Sequence, residues 1–367
     1  MIKRRYFASS TCIQRCRATP ANYSQRTIVI NRKEIDLYSD HYFVNSREAL
    51  AHAGHNPRVL YQVFQRHDAI LCGMKYVLDL LSQTSSEVEI HGLNDGEKIA
   101  PKEPVMHIIG PAQELFVYET IYLGLLARMT KVCTNVRSAV EAAAGKPVLF
   151  FPARFDIPEA QEYDGYAAKV GGCAGASTAA EARAFNSPAV GTMPHALIAA
   201  YKGDTVAACV ALADALPQEP IWALVDFVND SAQTALDCFL ALRQRGRRLT
   251  GVRLDTSQDL VDASLARRGI AEHGVTEALV FEVRRRLDQA GGLDVQIAVS
   301  GGFTADKIRR FETAHVPVNV YAVGERFFAG SIPFTSDIVG YYEGEKFIPC
   351  AKLGREFREN TRFQRLK

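Results

Sequence analysis

The stretch VQIAVSGGFT, residues 295–304, joins an apolar run to a serine, two glycines and the start of a helical pattern. A short apolar run of this kind is typical of a strand buried on both faces, as in a parallel sheet. The same succession recurs at IWALVD (221–226), TGVRLD (250–255) and VNVYAVG (318–324). Each run ends on Asp, Ser or Gly. The repetition indicates a single α/β architecture.

Helical patterns lie between these runs, at residues 231–244, 275–289 and 304–313. Further apolar runs occur at 147–151, more weakly near Val170, and at 188–190. The order β-α-β-α predicts a parallel sheet flanked by helices. About seven such units are consistent with a parallel barrel or a doubly wound sheet, and periodicity does not separate the two.

The two ends of the chain differ from this middle part. Residues 35–81 have a helical pattern, and a long helix is predicted for 113–144. Strand signals surround the tight turn Asn94-Asp95-Gly96 and return at 338–351. We therefore expect a small sheet domain built from residues 34–145 and 332–367, and a catalytic α/β domain over residues 146–331.

Charge is unevenly distributed. The first 33 residues contain eight Lys or Arg and no acidic residue, so the whole-chain value of +2 leaves residues 34–367 near −6. An acidic body argues against nucleic-acid binding, which needs clustered cations. The basic leader has the composition of an organelle transit peptide, and also that of a flexible extension or a misassigned start codon.

The remaining composition favours a soluble, cytoplasmic protein. The apolar runs are far shorter than the roughly 20 residues that a helix needs to cross a bilayer. Eight cysteines are scattered without paired C-x-x-C spacing, and we expect them to be reduced.

Candidate chemistry follows the strands, because parallel α/β folds place functional groups at the carboxyl ends of strands. The residues at these ends include Arg154, Thr192, His195, Asp226, Asp255, Ser300, Gly301, Gly302 and Gly324, and the pair Gly171-Gly172. Glycine and serine at the last two ends let backbone N–H groups approach one anion, which predicts a phosphate site. His195 is a candidate nucleophile or acid-base group because imidazole titrates near neutral pH.

These residues lie in motifs that resemble the nicotinate phosphoribosyltransferase family, a type II phosphoribosyltransferase family related to the quinolinate enzymes. The central motif is GGCAGASTAAEARAFNSPAVGTMPHALIAAYKGD (171–204). The other motifs are SDHY (39–42), ETIYLGLLARMTKVCTNV (119–136), ALVDFVNDSAQTAL (223–236), GVRLDT (251–256), VSGGFTADKIRRF (299–311) and VYAVGE (320–325). The resemblance runs from Asp36 to about Arg355, with these motifs in the family's order.

The resemblance implies a fold and a reaction. The fold would be an irregular, seven-stranded TIM-like barrel with a flanking α/β open sandwich, in at least a dimer. The reaction would join nicotinate to phosphoribosyl pyrophosphate, releasing pyrophosphate and forming nicotinate mononucleotide for NAD salvage. It would be coupled to ATP hydrolysis through phosphorylation of His195, with Mg²⁺ accompanying the pyrophosphate.

The resemblance also implies roles for the site residues. Arg154 would pair with the nicotinate carboxylate, Tyr42 would stack on the pyridine ring, and Thr192 would belong to the same pocket. Asp255 would bind the ribose hydroxyls, and Asp226 would help to hold the ribose or Mg²⁺. The backbone N–H groups of four residues would hold the 5′-phosphate: Ser300, Gly301, Gly302 and Gly324.

Two departures from the family pattern keep alternatives open. Related enzymes often have Arg-Lys-Thr where this chain has Arg154-Phe155-Asp156, and the PHAL form around His195 differs from the Ala-His form of many members. A quinolinate or nicotinamide phosphoribosyltransferase would keep the fold and change the pocket. A non-catalytic, ligand-sensing paralogue is the alternative from another class. A barrel aldolase is disfavoured because no strand end carries an evident Schiff-base lysine.

Overall fold

The computed structural model describes residues 30–367, so nearly all of the predicted basic leader lies outside the described residues. The strands, in chain order, are β1 (Arg58–Phe64), β2 (Ala69–Ile70), β3 (Glu89–Gly92), β4 (Lys98–Ile99), β5 (Pro104–Pro111), β6 (Val148–Phe150), β7 (Gly175–Ala176), β8 (Trp222–Leu224), β9 (Gly251–Leu254), β10 (Gln296–Val299), β11 (Val320–Val323), β12 (Thr335–Glu343), β13 (Lys346–Pro349) and β14 (Gln364–Arg365).

The α-helices, in chain order, are α1 (Ile35–Tyr38), α2 (His41–His52), α3 (Met74–Leu81), α4 (Ala112–Leu115), α5 (Glu119–Ala142), α6 (Gln161–Gly171), α7 (Ala179–Ala182), α8 (His195–Ala200), α9 (Thr205–Ala215), α10 (Ser231–Gln244), α11 (Ala263–Ala266), α12 (Glu277–Gln289) and α13 (Ala305–Thr313). None of these helices is both long and apolar enough to span a membrane. No disulfide links the cysteines of the described residues.

The described chain forms two compact units. One contains residues 139–158 and 174–326, and we call it the parallel unit. The other contains the described residues up to 138 together with 159–173 and 327–367, and we call it the antiparallel unit. Helix α6 thus belongs with the antiparallel unit, although it lies within the range predicted for the catalytic domain.

The parallel unit is built on a curled sheet with the strand order β7-β6-β11-β10-β9-β8. The pairings of these strands are parallel, and β6, the first along the chain, pairs with β11, the last. Pairing of the first and last strands curls the sheet as a barrel does, whereas an open doubly wound sheet keeps them apart. The strands are buried on both faces, which explains their near-continuous apolar sequences.

The predicted seventh strand at residues 188–190 is not formed, so the sheet is a six-stranded part-barrel. In its place an extended segment makes one backbone bond to each edge strand. Val190 N–H donates to the carbonyl of Ala176 in β7, and Met193 N–H donates to the carbonyl of Trp222 in β8. Proline at 188 and 194 removes two backbone donors from this segment, which limits its ability to form a ladder.

The predicted weak strand near Val170 is also wrong. Val170 lies in α6, whose Tyr163, Ala167 and Gly171 follow one another at helical spacing. The helix ends because Gly172 adopts a left-handed conformation, with φ of 105°. Gly171 and Gly172 therefore end a helix, and the neighbouring strand β7 begins three residues later at Gly175.

The antiparallel unit contains a six-stranded sheet in the order β13-β12-β1-β5-β3-β14. Its strands come from residues 58–111 and 335–365, so both ends of the chain contribute strands to one sheet. Helix α5 (Glu119–Ala142) confirms most of the long helix predicted for 113–144.

The helical interpretation of residues 35–81 is wrong over Arg58–Phe64, which is strand β1. This strand pairs with both β5 and β12, and its residues Val59 to Phe64 are all buried. Burial of both faces removes the alternation by which a half-exposed strand is recognised. A short apolar run of this kind is ambiguous between strand and buried helix.

Candidate functional site

The carboxyl ends of β8 to β11 place the predicted polar residues in one region of the parallel unit. Asp226 follows β8 and Asp255 follows β9, while Ser300 follows β10 and Gly324 follows β11. His195 is the first residue of α8, directly after the extended segment that bridges β7 and β8. Strand order alone thus brings together residues that lie up to 129 positions apart in the sequence.

His195 and Asp226 form the first contact of the site. His195 Nε2 lies 3.1 Å from Asp226 Oδ2 and 3.2 Å from Oδ1. The Asp226 side chain is only 8% exposed, whereas that of His195 is 45% exposed. Burial raises the pKa of the Asp226 carboxyl, and the adjacent His195 opposes this rise. The pair therefore joins an enclosed carboxyl to an imidazole that a ligand can reach.

Asp255 and Ser300 form the second contact. Ser300 Oγ donates to Asp255 Oδ1 at 2.6 Å, and its backbone N–H donates to the carbonyl of Leu254 at 2.9 Å. His195, Asp226 and Asp255 each offer one atom that could ligate a metal ion, and these three atoms all lie within 4.8 Å of one another. The two contacts thus form one cluster.

The glycines after Ser300 adopt conformations that few other residues accept. Gly301 and Gly302 have φ of 80° and 71°. A Cβ at Gly302 would come within 1.9 Å of Gln258 Nε2, and one at Gly301 within 3.4 Å of Asp255 Oδ1. Thr304 then caps α13 by accepting a hydrogen bond from Lys307 N–H. The loop is a glycine turn leading into a helix amino terminus, which favours an anion.

Gly324 and Arg154 lie at the neighbouring strand ends. Arg154 lies in a 3-10 helix (Ala153–Phe155) just after β6, is exposed, and has its guanidinium carbon 5.5 Å from the centre of the Phe155 ring. A Cβ at Gly324 would lie 3.1 Å from the same ring. Thr192 is half-buried in the extended segment, three residues before His195.

Arg253 is a site residue that we did not predict. It lies in β9 two positions before Asp255, and its Nε is buried without a hydrogen-bond partner. Burial lowers the pKa of its guanidinium, the charges of Asp255 and Asp226 oppose this, and Arg154 adds to it. The signal was present in the sequence, because residues i and i+2 of a strand face the same side.

Tyr42 is not part of this cluster. It lies in α2 of the antiparallel unit, is 60% exposed, and has its hydroxyl 3.4 Å from Asp40 Oδ2. The rest of its motif has structural contacts: Ser39 Oγ donates to the carbonyl of Val117, and Asp40 accepts from Thr120 Oγ1 at 2.8 Å. A role for Tyr42 in ring stacking stays a prediction.

Comparison with known proteins agrees with the fold and with these motifs. The model of the quinolinate phosphoribosyl transferase N-terminal domain matches residues 36–130. Nicotinate-nucleotide pyrophosphorylase from Pyrococcus furiosus is 31% identical in sequence to this chain. Its crystal structure matches with a TM-score of 0.75, over 90% of this chain and 82% of that chain. The structure of human nicotinic acid phosphoribosyltransferase has the same fold, with a TM-score of 0.64 at 18% identity over 83% of this chain and 75% of that chain.

Among curated sequences, the nicotinate phosphoribosyltransferase pncB2 of Mycobacterium tuberculosis is 31% identical over 63% of this chain and 46% of its own length. This chain therefore spans about half the length of that relative. The part-barrel, the flanking sheet and the strand-end site define a chain of the pyridine phosphoribosyltransferase class. Within this class, the chain belongs to the nicotinate and quinolinate phosphoribosyltransferase family.

Proposed function

We propose that this chain transfers the phosphoribosyl group of phosphoribosyl pyrophosphate to nicotinate, forming nicotinate mononucleotide and pyrophosphate for NAD salvage. The observation that carries the proposal is the cluster of His195, Asp226, Asp255 and Ser300, followed by the Gly301-Gly302 turn. It combines hydroxyl-binding carboxylates with an anion-binding turn, as a phosphorylated ribose requires.

The ribose and its phosphate would be held by different chemistry. Asp255, fixed by Ser300, would accept hydrogen bonds from the ribose hydroxyls. The N–H groups of the Gly301-Gly302 turn and of Gly324 would bind the 5′-phosphate. Because positive charge develops on the transferred ribosyl carbon, the carboxylates nearby would also stabilise the transition state.

The pyridine carboxylate would bind to the cations near the strand ends. Arg253 has a buried, unpartnered Nε, and Arg154 is near enough for its charge to influence Arg253. Guanidinium groups match a carboxylate in a two-point interaction. Because Asp226 and Asp255 offset much of this positive charge, we favour nicotinate, with one carboxylate, over quinolinate, with two.

Coupling to ATP would use His195. If Nε2–H donates to Asp226, the lone pair is left on Nδ1, which can attack the terminal phosphorus of ATP and release ADP. Water would later hydrolyse the phosphohistidine to phosphate. The exposure of the imidazole is consistent with access by a nucleotide.

Mg²⁺ is suited to part of the same cluster. Asp226 and Asp255 supply carboxylate oxygens, which are the ligands that Mg²⁺ prefers, whereas the His195 nitrogen is better suited to transition metals. Bound there, Mg²⁺ would neutralise charge on the pyrophosphate.

The test is incubation of the full chain with γ-labelled ATP, Mg²⁺, phosphoribosyl pyrophosphate and each of nicotinate, quinolinate and nicotinamide. We expect label on the wild-type protein, none on His195→Gln, and nicotinate mononucleotide as the main product. His273→Gln, at an exposed position of the same unit, is the matched control. If only quinolinate or only nicotinamide gave a product, that pyridine would be assigned as the substrate in place of nicotinate. No product from any of the three would favour a ligand-sensing protein.

A further inference from the structure

The antiparallel unit contains a basic cavity, which the proposed function does not use. Its volume is about 270 Å³, and its lining includes Arg66, Lys102, Arg355 and Arg358 with a single carboxylate, Glu356. Four cations against one carboxylate leave an excess of three positive charges. The volume lies just below the range usual for small-molecule sites, so the cavity would take a small ligand.

The cavity is assembled from three separate parts of the chain. Arg66 follows strand β1, Lys102 precedes β5, and Arg355 and Arg358 lie in the segment after β13. The buried Gln62 in β1 joins two of these parts: its Oε1 accepts from Arg358 N–H at 2.8 Å, and its Nε2 donates to the carbonyl of Glu356 at 3.3 Å. These hydrogen bonds hold the backbone of the segment that carries Arg355 and Arg358 against strand β1.

The backbone at Lys102 is fixed as well. Its N–H donates to the carbonyl of Gln65 at 2.6 Å, and its own carbonyl accepts from Arg358 Nη1 at 3.3 Å. Lys102 has φ of 63°, a left-handed conformation that the bond to Gln65 helps to hold. The Lys102 ammonium thus projects from a defined point of the cavity wall.

Most of the positive charge is not neutralised within the protein. Among the described residues, the side chains of Arg66 and Lys102 have no hydrogen-bond or ion-pair partner. Arg355 lies over the Phe64 ring, 5.0 Å from its centre, with its Nε 3.5 Å from Asp337 Oδ2. The Glu356 carboxylate accepts the backbone N–H of Gly354 at 2.9 Å.

We propose that this cavity is a binding site for a small polyphosphate, a ligand with two or three linked phosphate groups. Three of its four cations are guanidinium groups, which bind phosphate oxygens at two points. Three of the cations, Arg66, Lys102 and Arg358, have no ion-pair partner among the described residues, which favours a ligand with several negative charges over a single phosphate. All of the residues that line this site belong to the antiparallel unit, whereas the strand-end cluster belongs to the parallel unit.

The experiment is isothermal titration of the full chain with inorganic tripolyphosphate. The test variant is Arg66→Ser with Lys102→Asn, because both side chains are unpaired and Asn tolerates a left-handed backbone. We expect the dissociation constant of the cavity site to rise by at least about tenfold. The control is Lys169→Ser with Arg245→Ser, which removes the same charge at exposed positions outside the cavity. The proposal would be overturned if the wild type and both double variants bound tripolyphosphate with the same dissociation constant.

Two further arms identify the ligand and the location. Inorganic phosphate is expected to bind at least about tenfold more weakly than tripolyphosphate, and equal affinities would overturn the assignment to a polyphosphate. Arg253→Met changes the strand-end site and is expected to leave the cavity site intact. If tripolyphosphate binding is lost in Arg253→Met and kept in the cavity variant, the ion binds only at the strand ends and the proposal fails. Absence of nicotinate mononucleotide synthesis would refute the proposed function without affecting this site.

Discussion

At the strand ends of the parallel unit, Asp255 and the Ser300-Gly301-Gly302 turn each follow a strand directly, whereas the basic cavity of the antiparallel unit takes its cations from three distant segments. In the first region the backbone itself would supply the proposed anion-binding groups, through the glycine turn and the start of α13. In the second region long cationic side chains line the cavity, and contacts such as that of Gln62 Oε1 with the backbone N–H of Arg358 fix only the backbone that carries them.

This difference has energetic consequences. Backbone N–H groups in a rigid turn lose little entropy when they bind a ligand, and they act close to the reacting atoms. Exposed Arg and Lys side chains lose rotamer freedom on binding, and salt screens their charges. The parallel unit is therefore suited to catalysis and the cavity to reversible, salt-sensitive binding.

The largest effect should come from the carboxylate that the turn fixes. Asp255→Asn keeps the shape of the side chain but removes its charge from the position where the proposed function places the ribosyl group. We expect kcat/KM for nicotinate mononucleotide formation to fall by about 100- to 1000-fold. The measurement is steady-state kinetics with purified protein.

Asp259→Asn is the control for that experiment, since Asp259 lies exposed in the same loop and contacts Ser257. It should retain activity within about twofold of wild type. An active Asp255→Asn protein would mean that the strand-end cluster is not the reaction centre, and the contrast with the cavity would be lost.

A smaller effect is expected at Arg253. Arg253→Met removes the buried guanidinium, and we expect KM for nicotinate to rise by about 10- to 100-fold. The free energy of unfolding should change by less than about 1 kcal/mol, because relief from burying a charge offsets lost attraction to Asp226 and Asp255. Kinetics together with urea unfolding separate the two effects.

Arg253→Lys distinguishes charge from shape, since it keeps the cation but not the planar two-point geometry. An intermediate KM is expected. If both variants bind nicotinate as wild type does, the carboxylate must be recognised elsewhere, with Arg154 as the remaining candidate.

Much of the parallel unit could be predicted because its signals are local. Each strand is a short apolar run, and the polar residue that follows it, such as Asp226, Asp255 or Ser300, is adjacent in the sequence. Arg253 was missed because it lies inside such a run, where only the two-residue period of a strand reveals its direction. A strand was wrongly predicted at residues 188–190 because proline reduces backbone pairing without removing the apolar pattern.

The antiparallel unit was harder to predict because its features depend on tertiary contacts. Strand β1 is buried on both faces by partners up to 284 positions away, so its own sequence does not distinguish strand from helix. The cavity combines Arg66 with Arg355 and Arg358, and no local pattern relates these residues. Their meeting follows from pairing of β1 with β12.

A further difference between the units is the dependence of stability on pH. His107 in β5 is 7% exposed, packs near Phe357 and Phe363, and lies 3.3 Å from Gln62 Oε1. Burial lowers its pKa from 6.5 to about 4. The folded state therefore binds fewer protons, so the stability contributed by neutral His107 is complete above pH 6.5 and is lost as pH falls towards 4.

We expect unfolding in urea to show a loss of about 1 to 2 kcal/mol between pH 7 and pH 5 that is absent from His107→Leu. His55→Leu, at an exposed position, should keep the wild-type pH dependence. The same pH dependence in wild type and His107→Leu would show that His107 does not hold the carboxyl-terminal segment to the sheet through its neutral form.

The smallest effect should come from Gly324, where the proposed function uses the backbone alone to bind the phosphate. A Cβ there would lie 3.1 Å from the Phe155 ring and 3.3 Å from the carbonyl of Phe151, and the exposed ring can move. Gly324→Ala should therefore fold normally, with KM for phosphoribosyl pyrophosphate raised by about three- to fivefold. Gly124→Ala is the control, because nothing lies within 4 Å of its added Cβ and it lies within helix α5. An unchanged KM in Gly324→Ala would restrict backbone binding of the phosphate to the Gly301-Gly302 turn, and the contrast would then lie between one rigid turn and a cavity lined by long cationic side chains.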